Sequence, residues 1–321
     1  MNAIVTTTIN PPTKALLKFH EFAKKNNWVL VVVGDKKTPG DLYDAMRDDH
    51  LVYLEPAWQE MRYPELSDLI GWNCIQRRNF GFLWALEAGA EIIATVDDDN
   101  IPYKIWGTDI FVGRTARVDT WDTGKEIFDP LFHSPEFWHR GYPIQLLDDS
   151  KIEPQHRSVE SREILVQADL WDGEPDIDAI CRIVRTWDGR IPVEYRHKDI
   201  YTGREMGPFN SQNTYLSRKV FPTYFLFPHV GRMDDIWASY VTQAKFPNSV
   251  VYGPATVFQE RNPHDLAKDL EAEMLGYKHN LELVRRLKDP SLGDWQEFLP
   301  DKARVAYEIY KKEVNKIIGK E

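Results

Sequence analysis

Three short apolar runs fix what this chain can fold into: AIVTTTI at 3–9, WVLVVV at 28–33 and IIATV at 92–96. None alternates apolar with polar, so none suits a strand with one wet face. Such runs fit strands buried on both faces by helices, as in a parallel sheet. Each stops at a polar turn: Asn10-Pro11-Pro12, Gly34-Asp35 and Asp97-Asp98-Asp99-Asn100. Between the first two lies an amphipathic helix over 13–26 with Leu16, Leu17, Phe19, Phe22 and Ala23 on one face. A short strand at 51–54 and a helix from about 73 to 86, capped by Gly89, lead into the third run. The order strand, helix, strand, strand, helix, strand predicts an α/β fold with a mainly parallel, mixed sheet flanked by helices.

Further strands are expected at 110–118, 164–171, 213–217 and 249–252, and a helix starts after Gly231. Residues 128–147, rich in Pro, Phe, Trp and His, read as a loop lining a cleft. Amphipathic helices at 263–287 and 301–318 predict a C-terminal helical extension, 263–321, packed on the sheet domain, 1–262.

Ligands of open α/β sheets bind beyond the carboxyl ends of strands, which is where the acids fall. Three adjacent carboxylates repel one another unless they are solvated or share a hard cation. Mg²⁺ and Mn²⁺ use one or two carboxylates plus substrate phosphates, which points to a nucleoside diphosphate. A plain polar turn is the competing reading of DDDN. Thr7 and Asn10, after the first strand, and Asp35, after the second, are placed to meet a base or ribose. Arg78 is the residue to face a diphosphate, and at least one of Arg77 and Arg78 is expected on a solvated helix face. Asp234 and Asp235 open a helix, where acids suit the helix dipole or act as a general base.

The net charge of −10 argues against a broad nucleic-acid footprint. Two cysteines give neither a disulfide framework nor a metal-ligand spacing. The opening MNAIVTTTINPP has no signal-peptide pattern, and no apolar run reaches membrane length. A soluble, cytoplasmic protein without a membrane span is the expectation, and a homo-oligomer stays open. The absence of G-x-G-x-x-G and Walker patterns after the strands lowers the weight of hydride transfer and ATP hydrolysis. Eleven Trp exceed what the length needs, and Trp121, Trp138, Trp171 and Trp237 are candidates to stack on sugar or base.

The runs IVTTTINPPTKAL, WVLVVVGDKKTP and CIQRRNFGFLWALEAGAEIIATVDDDN, with QERNPHDL at 259–266, resemble the STELLO-type glycosyltransferases. Asp97-Asp98-Asp99, Arg140-Gly141-Tyr142-Pro143, Leu170-Trp171 with Pro175-Asp176, and Asp234-Asp235 before Trp237 are similar to the reversibly glycosylated polypeptides, UDP-arabinopyranose mutases. The resemblance implies a GT-A-like fold, a nucleotide-sugar donor, UDP-linked by preference, and Mn²⁺ or Mg²⁺ on DxD-type acids. It implies Asp97 as a donor contact and metal ligand, Asp98 as a donor contact and Asp99 as a metal ligand. Arg140 stands where the mutases carry a reversibly glycosylated arginine. Transfer to a glycan, small-molecule or protein acceptor is the leading reading. A mutase and a noncatalytic partner of a glycan-synthesis complex are the alternatives.

Overall fold

The computed structural model describes residues 1–134, 136–147, 154–185, 199–260 and 265–319. The chain opens with β1 (Asn2–Thr8), α1 (Lys14–Asn26), β2 (Trp28–Gly34), α2 (Gly40–Asp44), β3 (Leu51–Leu54), α3 (Pro56–Arg62), α4 (Pro64–Ile70), α5 (Arg78–Glu87) and β4 (Ile92–Val96). It continues with β5 (Asn100–Pro102), β6 (Thr115–Asp122), β7 (Gln155–Glu163), β8 (Val166–Gly173), α6 (Ala179–Arg185), β9 (Tyr201–Gly203) and β10 (Asn213–Ser217). Then follow α7 (Asp234–Lys245), β11 (Val250–Gln259), α8 (Leu266–Lys288) and α9 (Asp301–Ile318).

Among the described residues the strands form one mixed sheet in the order β3-β2-β1-β4-β10-β8-β11-β9-β6-β7, with β5 paired to β11. The first four are parallel, and Ile4, Val5, Leu30 to Val33 and Ile93 are fully buried, as their unbroken apolar runs require. β10 enters antiparallel between β4 and β8; β8 thereby resumes the direction of β4, and β11 runs parallel beside it. The crossovers β1 to β2 and β3 to β4 run in opposite directions along the sheet. Right-handed connections therefore put α1 on one face and α3 to α5 on the other, and leave a topological switch point between the carboxyl ends of β1 and β4.

The mixed α/β architecture and the C-terminal helices agree with expectation. α8 packs on α6 and α7, and α9 packs on α4 and α5, where Tyr307 and Tyr310 meet Phe225. The expected boundary near 262 lies outside the described residues, as do 261–264 of the QERNPHDL run and the expected start of the long helix.

Several local readings are corrected. The strand expected at 110–118 runs instead from Thr115 to Asp122, because Gly113 turns at φ +82° and Gln167 Oε1 takes the Phe111 N–H. The helix expected from 73 starts at Arg78, since Asn73 sits at φ +57° and a 3₁₀ turn, Ile75–Arg77, precedes it. The last strand extends to Gln259 through an irregularity between Gly253 and Val257. No helix of the described residues is long and apolar enough to cross a membrane.

Candidate functional site

The switch point brings the ends of β1 and β4 together through side chains the sequence already singled out. Thr8 donates its hydroxyl to the Asp98 carboxylate, and Asn10 Nδ2 donates to the same oxygen at 3.0 Å. Thr13 caps α1 by accepting from Leu16 N at 3.2 Å, and its hydroxyl donates to the Asp98 carbonyl. The start of α1 is thereby fixed to the acid turn. Asp97 to Asn100 do form a turn, with Asn100 N donating to Asp97 O at 3.3 Å. The polar-turn reading of DDDN therefore holds for the backbone here. Asp97, Asp98 and Asp99 are all partly exposed, while Val96 before them and Asn100 after them are buried.

Asp35 closes a second wall. Its carboxylate accepts from Lys36 N at 2.6 Å, Asn73 N at 2.7 Å and Cys74 N at 3.4 Å, which binds the 73–75 turn to the end of β2. Arg78 forms the floor. It is buried, and its Nη2 donates to Asp97 Oδ1 at 2.7 Å while Nη1 donates to Ser211 O at 2.8 Å and Thr95 Oγ1 at 3.1 Å. The result is a cleft of about 290 Å³ lined by Thr7, Asn10, Asp35, Arg78, Asp97, Asp98 and Asp99, seven of the ten residues singled out for the site. Thr8, Ile9, Asn73, Cys74, Ile75 and Arg77 line it as well; nothing in the sequence marks 73–75 as part of a site, because a left-handed turn before a 3₁₀ segment carries no periodic signal.

The other three, Arg140, Asp234 and Asp235, meet in a separate buried cluster. Arg140 Nε and Nη2 donate to Asp176 at 2.9 Å, Nη1 and Nη2 donate to Asp235 at 3.0 and 3.1 Å, and Nη1 also reaches the Arg232 carbonyl. Every nitrogen of the guanidinium is engaged. Burial opposes its charge, but Asp176 and Asp235 outweigh burial and raise its pKa above the ordinary value. Gly141 follows at φ +91°, and a Cβ there would meet Ile236 Cγ2 at 2.3 Å, so the RGYP turn lies tight under α7. Asp234 accepts from Gln76 Nε2 at 2.9 Å. Burial, and then the neighbouring Asp235, push its pKa up to about 7 against the pull of Arg140.

Other expectations fail on burial. Arg77 and Arg78 are both buried, so neither is a solvated helix residue; Arg77 reaches Gln59 and Ser67 inside the protein. Trp138, Trp171 and Trp237 are core side chains, and Trp121 packs against Phe132 and His156. None of the four lines the acid cleft. Large aromatic area is most stabilising when removed from water, which here outweighs any exposure for stacking. A larger hollow of about 720 Å³, bounded by Ile105, Phe111, Gln167 and Asp169, contains none of the residues singled out for the site.

Among the described residues no three His, Cys, Asp or Glu side chains form a ready-made metal cage. The cleft nonetheless suits a hard divalent ion. Its acids are carboxylates at a strand end, and such ions take one or two carboxylates and complete their shell with phosphate and water oxygens. Asp97 and Asp99, both lining the cleft, would be the carboxylates to hold it.

No family model matches the chain. Two curated proteins of Arabidopsis thaliana are similar to it. The probable glycosyltransferase STELLO1 is 23% identical over 235 residues, 68% of this chain and 29% of the relative, and STELLO2 is 24% identical over 236 residues, 68% and 30%. The matched region thus spans under a third of each relative's length. Among solved structures, glucosyl-3-phosphoglycerate synthase from Mycobacterium tuberculosis, in complex with phosphoglyceric acid, aligns over 88% of this chain and 79% of its own. Its TM-score is 0.46 at 12% identity. The mannosyltransferase PcManGT from Pyrobaculum calidifontis, in complex with GDP-Man and Mn²⁺, aligns over 99% and 73%, with TM-score 0.43 and 10% identity.

Proposed function

We propose that this chain is a glycosyltransferase of the GT-A type that binds a nucleoside diphosphate sugar, UDP-linked in the first instance, together with Mn²⁺ or Mg²⁺. The observation that carries the reading is the gathering of Asp97, Asp98 and Asp99 at the switch point between β1 and β4, against Thr8, Asn10 and Arg78. Similarity to two probable glycosyltransferases over two thirds of the chain supports it.

In this reading Asp97 and Asp99 ligate the cation, Arg78 holds Asp97 from beneath, and Asp98 is oriented by Thr8 and Asn10. Thr7 and Asp35 border the nucleoside end. A bound divalent ion supplies positive charge against the negative charge that builds on the departing diphosphate. Of the two helix-start acids, Asp235 is held by Arg140 and Ser211 and Asp234 by Gln76, and neither lines the cleft. The acceptor is a glycan, a small molecule or a protein hydroxyl. The mutase alternative needs Arg140 open to a sugar, and its engaged guanidinium gives that reading no support.

The test is a thermal-shift screen of UDP-, GDP-, CDP- and dTDP-sugars with and without Mn²⁺, on the natural chain and on Asp99→Ala. A ligand bound by the native state alone raises the unfolding temperature by mass action. A Mn²⁺-dependent rise with one donor, lost in the variant, is the expected result. No rise with any donor overturns the proposal.

A further inference from the structure

The cleft and the buried Arg140 cluster are separate in space but continuous in bonding. Asp97 is held by Arg78 Nη2 at 2.7 Å, and Arg78 Nη1 donates to Ser211 O at 2.8 Å and Ser211 Oγ at 3.2 Å. Ser211 in turn donates twice to one oxygen of Asp235, from N at 2.9 Å and from Oγ at 3.1 Å. Asp235 is clamped by Arg140, which is clamped by Asp176, and Asn210 Nδ2 donates to Asp176 Oδ2 at 2.9 Å. Segment 210–211 therefore touches both ends of the buried cluster and the floor of the cleft. Thr95 Oγ1 braces the same point, donating to Ser211 O at 2.8 Å while accepting from Arg78.

Each link is buried except the last: Arg78, Ser211, Asp235, Arg140 and Asp176 are all at most 6% exposed, whereas the Asp97 side chain is 25% exposed. A buried guanidinium has no water to replace a lost partner, so its orientation follows the protein acceptors around it. The chain of alternating charge reads Asp97, Arg78, Asp235, Arg140, Asp176, with the hydroxyl of Ser211 joining its two halves. Asp97 and Arg78, the two members that line the cleft, are thus oriented by groups that do not line it.

We propose that Ser211 is a positioning residue for the cleft: tied to the Asp235–Arg140 pair, it sets the orientation of Arg78 and through it that of Asp97, and so tunes how the site receives a metal-bound nucleoside diphosphate. The inference rests on the donor reading above and assigns a function to segment 210–211, which joins no recognised motif. It also gives Arg140 a role at a distance, as the counter-charge that keeps Asp235 an acceptor for Ser211.

The experiment measures Mn²⁺-dependent binding of UDP and GDP by titration calorimetry for the natural chain, Ser211→Ala, Asp97→Asn and the double variant. Ser211→Ala is expected to weaken binding about tenfold in the natural background and less than about twofold in the Asp97→Asn background, because its effect passes through Asp97. A role confined to packing would lower binding equally in both backgrounds and would overturn the proposal. So would unchanged binding in Ser211→Ala. If Ser211→Ala does not fold, Thr95→Val removes the other brace with little change of shape and is expected to show the same dependence on Asp97. Absence of binding by the natural chain with either nucleotide overturns the donor reading itself, an outcome distinct from the other two.

Discussion

The acid triplet of the cleft and the acids buried in the second half of the chain obey opposite rules. Asp97, Asp98 and Asp99 are partly exposed and stand at the end of a strand whose own residues are buried. Asp169, Asp178 and Asp234 are inside, and burial pushes each of them up to about 7. Asp176 and Asp235 are inside as well but share Arg140. Acids at a solvated edge stay available for an incoming cation, while acids in the interior must be neutralised by a proton or by a guanidinium. The same residue type thus stands at a solvated cleft in one region and inside the protein in the other.

Breaking the internal pairing is expected to cost most. Arg140→Ala leaves Asp176 and Asp235 buried without their cation and should remove about 3–5 kcal/mol of stability, read from urea unfolding, if the variant folds at all. Asp97→Asn probes the opposite region: a stability change within about 1 kcal/mol, but a ten- to hundredfold loss of Mn²⁺-dependent nucleotide binding, equivalent to about 1.4–2.8 kcal/mol. Equal stability losses in the two variants would mean that Asp97 and Arg140 support the fold alike.

Proton linkage sharpens it further. A carboxyl that ionises near 3.8 in the unfolded chain and near 7 in the native state holds its proton longer when folded. Its contribution to stability therefore falls as pH rises from about 4 to about 7, and the full penalty remains above that. Asp169→Asn is expected to flatten this part of the decline and to be the more stable protein at pH 8 by on the order of 1–2 kcal/mol, measured as Tm against pH. An unchanged pH profile would remove Asp169 from the set of internally protonated acids. The smallest effect is at the joint of α1 and the acid turn. Thr13→Ala loses the cap to Leu16 N and the hydroxyl donated to the Asp98 carbonyl, about 1 kcal/mol in chemical denaturation.

What could be read in advance follows the same division. β1, β2 and β4 announce themselves as short, mostly apolar and β-branched runs, as strands covered on both faces tend to be, and the cleft acids sit directly after such strands. β7 was invisible: QHRSVESRE pairs only with β6 among the described strands, and its side chains are mostly exposed, so no burial pattern marks it. The fates of Arg77 and Arg78 were also hidden. A charged pair on a helix reads as solvated, and only the fold shows that Gln59, Ser67, Ser211 and Asp97 supply the acceptors. The Trp residues mislead for a related reason, since the same ring that stacks on a sugar also fills a core. Asp234 and Asp235 were noticed as a pair, but their different surroundings depend on Gln76, Ser211 and Arg140, which lie far away in sequence.

The antiparallel strand β10 carries a consequence for how the chain is made. β4 completes the parallel half, yet its free side pairs with residues 213–217, through contacts such as Thr95 with Thr214. During synthesis the ribosome releases β1 to β4 long before β10 exists, and an uncovered, apolar strand edge is a template for pairing with other chains. The interval between emergence of Val96 and arrival of Asn213 is therefore the period in which this protein most needs a chaperone or a low local concentration.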